Sequence, residues 1–130
     1  MEKETIVCIV LVIAIIIGNY MTQNYTKESV KELSDKLNDL KENILNIGDQ
    51  DSNELKDKME SIKAEWESKY DKLAYYIEHD ELEKVENNLT GISSFIEMEE
   101  YAEAISELHK GEFVLKHIQD KYAFSLENIF

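Results

Sequence analysis

The sequence predicts an all-α protein in which an N-terminal transmembrane helix runs into an antiparallel helical hairpin and a four-helix bundle. Three observations support this fold class. The 130 residues include no proline and only four glycines, a composition that favours long helices over turn-rich β architectures. An uninterrupted apolar run lies close to the start of the sequence. After it, apolar residues recur every three or four positions, as on one face of a helix.

Composition also excludes several functions. The chain carries 28 acidic residues against 14 basic ones, and every basic residue is a lysine. A net charge of −14 repels nucleic-acid phosphates, and no arginine is present to bind one bidentately. The single cysteine, Cys8, lies inside the apolar run, so the polar part has no cysteine for disulfides, metal sites or nucleophilic catalysis. We therefore expect no nucleic-acid partner.

Residues 1–22 are predicted to be an uncleaved membrane anchor, helical over about residues 5–22. The apolar run extends from Ile6 to Ile17, and 18 residues of helix span about 27 Å, close to a hydrocarbon core about 30 Å thick. A removed export signal is one alternative, but the first four residues have no net positive charge and no small-x-small cleavage site follows. The core helix of a soluble domain is another, although this run has no polar face.

Residues 23–130 are predicted to form an acidic bundle with a docked C-terminal tail. The predicted helices cover about residues 24–47, 52–78, 80–97 and 100–120, and the tail covers residues 121–130. The apolar seam of the first helix is Val30, Leu33, Leu37, Leu40, Ile44 and Ile47. These residues are alternately three and four positions apart, a spacing that suits either packing on the second helix or a parallel dimer. Because the seam is short, we expect it to fold back on the second helix, which makes residues 23–130 a monomer.

The other helices show similar apolar stripes, with breaks between them. Gly48 to Asp51 interrupts the first seam, and Ser52 suits the N-cap of the second helix. The stripes contain Leu55, Met59, Ile62, Trp66, Tyr70, Leu73 and Ile77, then Leu82, Val85, Leu89, Ile92 and Ile96, then Tyr101, Ile105, Leu108, Leu115 and Ile118. Asp80 with Glu83 has the spacing of a capping box at the start of the third helix. Glu97 to Glu100 is a weaker break.

One stretch resembles a known family. The run "AEWESKYDKLAYYIEHDELEKVENNLTGISSFIEMEEYAEAISELHKGEFVLKHI" and the ending "FSLENIF" are similar to domain-of-unknown-function family 4363, short bacterial single-pass membrane-anchored helical proteins. The positions that carry the resemblance are Trp66, His79, Glu81, Val85, Glu86, Leu89, Ala102, Ala104, Leu108, His117, Ile118, Leu126, Asn128 and Ile129. Residues 48–60 depart from the pattern because they lack an alanine-rich acidic segment.

The resemblance implies a location and a partner class rather than a reaction. The family brings no established activity, and it implies a membrane-protein partner in the envelope. Its pattern residues are structural candidates: Trp66, His79, Asp80, Glu81, Leu89, Leu108, His117 and Asn128. We assign no catalytic, cofactor-binding or metal-binding residue, and we expect no cofactor.

Histidine and carboxylate residues on the predicted helices suit either a metal site or a solvated helix surface. A di-metal carboxylate bundle needs Glu-x-x-His on two helices, and no histidine here has glutamate three positions before it. His109 with Glu112, and His117 with Asp120, have the i,i+3 spacing of a metal pair, with Glu107 nearby. An acidic helical surface produces such pairs by chance, so we favour exposed helix faces.

Two further groups have a structural and a functional interpretation. His79 beside Asp80 suits either a proton-sharing pair or an imidazole that binds carbonyls at a helix end. Trp66 with Tyr70, Tyr75 and Tyr76 suits either a ligand groove or a core stripe, and helical spacing favours the core.

Three function classes remain. The leading hypothesis is a non-catalytic, membrane-tethered interaction or scaffold module, because an anchor leads directly into an apolar seam. The first alternative is a ligand-sensing domain or accessory subunit of a neighbouring membrane protein, and the second is a metal-dependent enzyme. Lysines after the anchor favour a cytoplasmic bundle by count, but long domains translocate regardless of charge. We expect a single-pass protein of the cell membrane with an extracytoplasmic bundle.

Overall fold

The computed structural model describes the backbone of residues 2–48 and 52–129 and the side chains of residues 2–48 and 52–121. Over this part of the chain there are four helices and no strand, which confirms the predicted all-α class. They are α1 (Glu2–Leu45), α2 (Ser52–Leu73), α3 (His79–Glu97) and α4 (Tyr101–Ile129).

The helices form an antiparallel four-helix bundle. Each packs against two others, in the order α1, α2, α3, α4 and back to α1. Two contacts between a pair of helices give the direction of packing. Glu32 of α1 pairs with Lys69 of α2, whereas the later Lys36 pairs with the earlier Glu65. In the same way, Glu81 of α3 contacts Lys121 of α4, whereas the later Asn88 contacts the earlier Glu107. Helices with short connections are expected to pack in this up-down order.

The core contains the apolar stripes predicted from the sequence. Five of the six seam residues of α1 are buried, and Ile47 is packed against the core from its edge. Leu37 is only 1% exposed and lies opposite Gly111 of α4, where an added Cβ would be 3.7 Å from the Leu37 Cδ1 atom. The seam is therefore used within the chain, against α2 and α4.

The first helix is longer than predicted because it has no break after the apolar run. The sequence predicted separate helices over residues 5–22 and 24–47, whereas α1 is continuous from Glu2 to Leu45. Its first half is apolar and wholly exposed, and it is long and apolar enough to cross a membrane. We call residues 5–22 the apolar segment. By length and composition it fits an anchor or a signal sequence.

The turn between α2 and α3 differs from the prediction. Helix α2 ends at Leu73, not near residue 78, although the amide of Ile77 still donates to the Leu73 carbonyl at 2.8 Å. That bond keeps Ile77 buried, which is why the apolar spacing continued past the helix end. The predicted capping box is wrong: Glu78 is the N-cap, without a side-chain cap bond.

The connection between α3 and α4 is a helix-terminating motif that the sequence did not reveal. The amide of Glu100 donates to the Phe95 carbonyl at 2.8 Å, the long-range bond of a Schellman motif. Glu99 occupies its left-handed position, with φ of 57°. Glycine normally fills this position because other residues crowd their own backbone there.

Replacing Glu99 by glycine is expected to stabilise the fold by about 0.5–1 kcal/mol, since it removes the left-handed backbone strain. The matched control is Glu83→Gly, at an exposed position in the interior of α3, which is expected to destabilise by about the same amount. Urea unfolding followed by Trp66 fluorescence measures both. A loss of stability in Glu99→Gly would contradict the assignment of strain.

Candidate functional site

Polar contacts are concentrated at the end of the bundle that adjoins the apolar segment. The Tyr76 hydroxyl, in the turn between α2 and α3, donates a hydrogen bond of 2.6 Å to the Asn19 side-chain carbonyl. Nearby, the Lys72 ammonium lies 5.4 Å from the centre of the Tyr25 ring, within cation–π range. These contacts fasten the α2–α3 turn to α1 just where the apolar segment ends. We call this end of the bundle the junction.

A buried carboxylate lies beside the junction, at the start of α3. Glu81 is only 6% exposed, and its Oε1 atom is 3.4 Å from Lys121 Nζ and 3.7 Å from His117 Nε2. Lys121 also contacts Glu78, at 3.1 Å. Burial of a carboxylate is costly unless a cation is close, and α4 supplies Lys121 here.

The electrostatics of this cluster favour a charged lysine. The hydrogen bond that Lys121 donates to Glu78, together with the negative charge of Glu81, raises the pKa of Lys121 above its ordinary value, although desolvation opposes the shift. A raised pKa contributes stability below the unfolded pKa, and this contribution is lost as the pH rises through the folded pKa. At neutral pH the cluster is therefore a structural ion pair that joins α3 to α4.

We expect Lys121→Met to lower the urea midpoint of unfolding, because the buried Glu81 carboxylate loses its main cation. Adding Glu81→Gln should restore most of the loss, since a neutral amide needs no counter-charge. Lys116→Met, on an exposed position of the same helix, is the control and should leave the midpoint unchanged. If the double variant is as unstable as the sum of its single changes, Glu81 and Lys121 are not coupled.

His79 contacts Tyr70, which the sequence did not predict. It is the first residue of α3, and its Nδ1 atom is 3.4 Å from the Tyr70 hydroxyl. Burial, and then the charges of Glu86 and Glu83, raise the pKa of Tyr70, so the phenol stays neutral at physiological pH. His79 and Asp80 are both exposed, and Tyr70 is the polar contact that the imidazole makes.

The histidines on α4 belong to two separate pairs. His109 Nδ1 is 3.8 Å from Glu112 Oε2, while Oε1 of the same carboxylate is 3.1 Å from Lys41 Nζ. His117 contacts Glu81. Within residues 2–48 and 52–121, no three His, Cys, Asp or Glu side chains come together as a metal site requires.

Trp66 is a core residue with a shallow cleft beside it. Its side chain is 3% exposed, and its indole Nε1 atom has no hydrogen-bond partner among the described residues. The cleft, which Ser29 and Leu33 also line, has a volume of about 10 Å³, room for about one water molecule. This size fits a water that binds the indole nitrogen, not an organic ligand.

Charged side chains surround that cleft. Lys69 reaches Glu32 at 2.6 Å and Glu65 at 3.1 Å, and Lys36 forms a further ion pair with Glu65. The hydrogen bond from Lys69 lowers the pKa of Glu32. These pairs join α1 to α2 across the solvent side of the cleft.

The remaining pattern residues have structural positions. Leu89 is 3% exposed and Leu108 is fully buried, so both are core residues of the α3–α4 contact. Asn128, and the predicted docking of residues 121–130, fall largely outside the described side chains. The backbone there continues as α4 to Ile129.

Sequence reasoning did not single out Lys121 or the pairing of Asn19 with Tyr76. One signal was present: His117 and Lys121 are four residues apart, on one face of α4. No comparable signal marked the Asn19 contact, because its two partners are 57 residues apart. Such pairs follow from the register of the packed helices.

Comparison with known proteins identifies the family of the chain but assigns it no reaction. The profile described as "Domain of unknown function (DUF4363)" matches residues 20–129. No curated protein and no solved structure gives a significant match. The matched region begins one residue after Asn19 and covers the rest of α1 and the other three helices of the bundle. The chain belongs to the DUF4363 family.

Proposed function

We propose that this protein is a membrane-tethered, non-catalytic interaction module of the bacterial envelope, and that α1 holds its bundle rigidly against the membrane. The observation that carries the proposal is the continuity of α1. One helix includes both the exposed apolar segment and the buried seam that contains Leu37. A domain attached through one continuous helix has a fixed distance from the membrane and a fixed orientation, which suits docking on a neighbouring membrane protein.

Exposure of the apolar segment supports membrane insertion. Its large side chains, from Ile6 to Ile17, are each about half exposed, and none of the described residues buries them. An apolar cylinder of this length is stable only when lipid or another apolar surface covers it. The core-helix alternative is disfavoured because a core helix would be buried.

The junction supports an anchor that is retained, not a signal that is removed. Cleavage after residue 22 would remove Asn19 and so break its hydrogen bond with Tyr76. It would also leave a new chain end at Gln23, three residues before Thr26, which is only 3% exposed. A signal sequence normally has no contacts with the mature domain, whereas this segment has one.

The described residues do not favour either alternative function. The cleft beside Trp66 has room for about one water, too small for the pocket that a ligand sensor needs. Each carboxylate near the α4 histidines is also close to a lysine or an amide. We therefore assign the module to binding, and we assign its partner class, a membrane protein, from the family resemblance.

Membrane retention is tested with an epitope tag at each end of the full chain. After alkaline carbonate extraction of bacterial membranes, we expect both tags in one full-length band in the membrane pellet. The control is Ile9→Lys with Ile13→Lys, which should release the chain because two lysines at mid-segment are costly in lipid. A shortened, soluble band that carries only the C-terminal tag would show a removed signal and overturn the proposal.

The proposed orientation, with the bundle outside the cytoplasm, has a separate test. Ser106 is exposed on α4, so Ser106→Cys in a Cys8→Ala background gives one reactive thiol. We expect an impermeant maleimide to label this variant in intact cells whose outer barrier is permeable. Labelling only after lysis would place the bundle in the cytoplasm.

A further inference from the structure

We propose that the turn between α2 and α3 is a second membrane contact, in which Tyr75 lies at the boundary between acyl chains and headgroups and Tyr76 reaches into the hydrocarbon core of the bilayer that α1 crosses. The inference rests on the proposed function, because it takes α1 as the anchor. It adds a surface that no family pattern assigns, and it names the occupant of that surface as lipid.

The position of Asn19 along α1 sets the depth of the turn. Residues 5–26 are uncharged, lying between Glu4 and Lys27. If the bilayer is centred on this stretch, Asn19 lies about 5 Å from the midplane at about 1.5 Å per residue. If it is centred on Ile6 to Ile17, the distance is about 11 Å. Either value is smaller than the half-thickness of the hydrocarbon core, about 15 Å.

Tyr76 must therefore reach the membrane. Its hydroxyl bonds the Asn19 side chain at 2.6 Å, so the polar tip of the ring lies at the depth of Asn19. The backbone of the turn is then no more than one tyrosine side chain from that level. A turn in this position cannot lie in bulk water while α1 spans the bilayer.

Polar groups on this part of α1 are satisfied in the way that lipid requires. The Thr22 hydroxyl donates to the Gly18 carbonyl at 2.7 Å, and the Thr26 hydroxyl donates to the Thr22 carbonyl at 3.0 Å. In lipid each unpaired polar group is costly, and these bonds leave neither hydroxyl unpaired. The Tyr76 bond satisfies Asn19 in the same way.

Tyr75 is the side chain that contacts lipid in this proposal. Its side chain is 83% exposed in the turn, beside the half-buried Tyr76. A tyrosine has an apolar ring and a polar tip, and such side chains concentrate at the boundary between acyl chains and headgroups. Tyr20, also exposed at 57%, lies one residue beyond Asn19. Together they form part of an aromatic belt, which is why lipid is favoured over a protein groove.

The test uses quenching of tryptophan by lipids with brominated acyl chains. The full chain carrying Tyr75→Trp is reconstituted in phosphatidylcholine vesicles, with and without bromine near the headgroup. We expect the emission added by the new tryptophan, relative to the wild-type chain, to fall about twofold or more in brominated lipid, as for an interfacial side chain. Tyr75 is so exposed that the substitution should not disturb folding.

Two matched variants make the outcome decisive. Phe113→Trp adds a tryptophan at another exposed aromatic position, 74% exposed and at the level of Leu37 in the bundle, and should not be quenched. Ile13→Trp lies mid-segment and should be quenched by bromine deep in the acyl chains. If Ile13→Trp is quenched and Tyr75→Trp behaves like Phe113→Trp, the second contact is overturned and the anchor stands. If Ile13→Trp is not quenched, the anchor itself fails, and the inference fails with it.

Discussion

Leu37→Ala is expected to lower the free energy of unfolding of the full chain by about 2–5 kcal/mol, the usual cost of a large-to-small change in a packed core. Leu37 is 1% exposed and faces Gly111 of α4. Because Gly111 has no side chain, it cannot move one into the space left behind. The cavity should therefore persist, which places the cost in the upper part of that range.

The measurement is urea unfolding in detergent micelles, followed by the fluorescence of Trp66, the one tryptophan in the chain. Leu45→Ala makes the same chemical change on the same helix, but Leu45 is 66% exposed. The control should shift stability by no more than about 0.5 kcal/mol. Equal effects at the two positions would mean that the seam of α1 is not the core of the bundle.

Asn24→Pro is expected to lower the free energy of unfolding by about 3 kcal/mol relative to Asn24→Ala. Asn24 is exposed in the interior of α1, between the apolar segment and the seam. Proline there removes the amide bond to the Tyr20 carbonyl and clashes with that group. The kink should also separate Asn19 from Tyr76, so that the junction opens while the seam stays packed.

Asn24→Ala isolates the backbone effect, because it removes the same side chain without breaking the helix. The pair is compared by Trp66 fluorescence in urea. A difference below about 0.5 kcal/mol, the scale of ordinary surface substitutions, would mean that the bundle does not depend on an unbroken α1. The apolar segment would then be a loose tether, contrary to the proposed rigid coupling.

The apolar core was predictable because its signal is periodic. Leu37 and its neighbours recur every three or four residues, and any helix with that spacing must bury one face. The composition also predicted long helices, because a chain without proline has few means of ending them. These local rules sufficed for the fold class and for almost every buried apolar residue in the described part of the chain.

Helix ends were less predictable. Ile77 kept the apolar period although α2 had ended at Leu73, because a turn bond holds it on the buried side. Glu99 adopts a left-handed conformation in which glycine is usual. Because no glycine stands there, the sequence did not mark the end of α3. The break expected near residue 23 was absent because Asn19, Tyr20 and Thr22 are compatible with a helix when their polar groups are satisfied.

The polar contacts of the candidate site could not be predicted, because they depend on the register between helices. Glu81 and Lys121 are 40 residues apart, and nothing local to either one specifies the other. Glu81 was identified from the family pattern, without the reason for its place there. The structure gives a physical reason: Glu81 is a buried carboxylate that forms an ion pair with Lys121 of α4.

Amide hydrogen exchange over residues 19–29, with the full chain in lipid nanodiscs, tests most directly whether α1 joins membrane and bundle as one rigid helix. A continuous helix predicts exchange slowed by about a hundredfold or more across the whole stretch, because each amide is bonded to a carbonyl four residues earlier. Exchange at the rate of an unstructured peptide over these residues, between protected segments on both sides, would contradict rigid coupling.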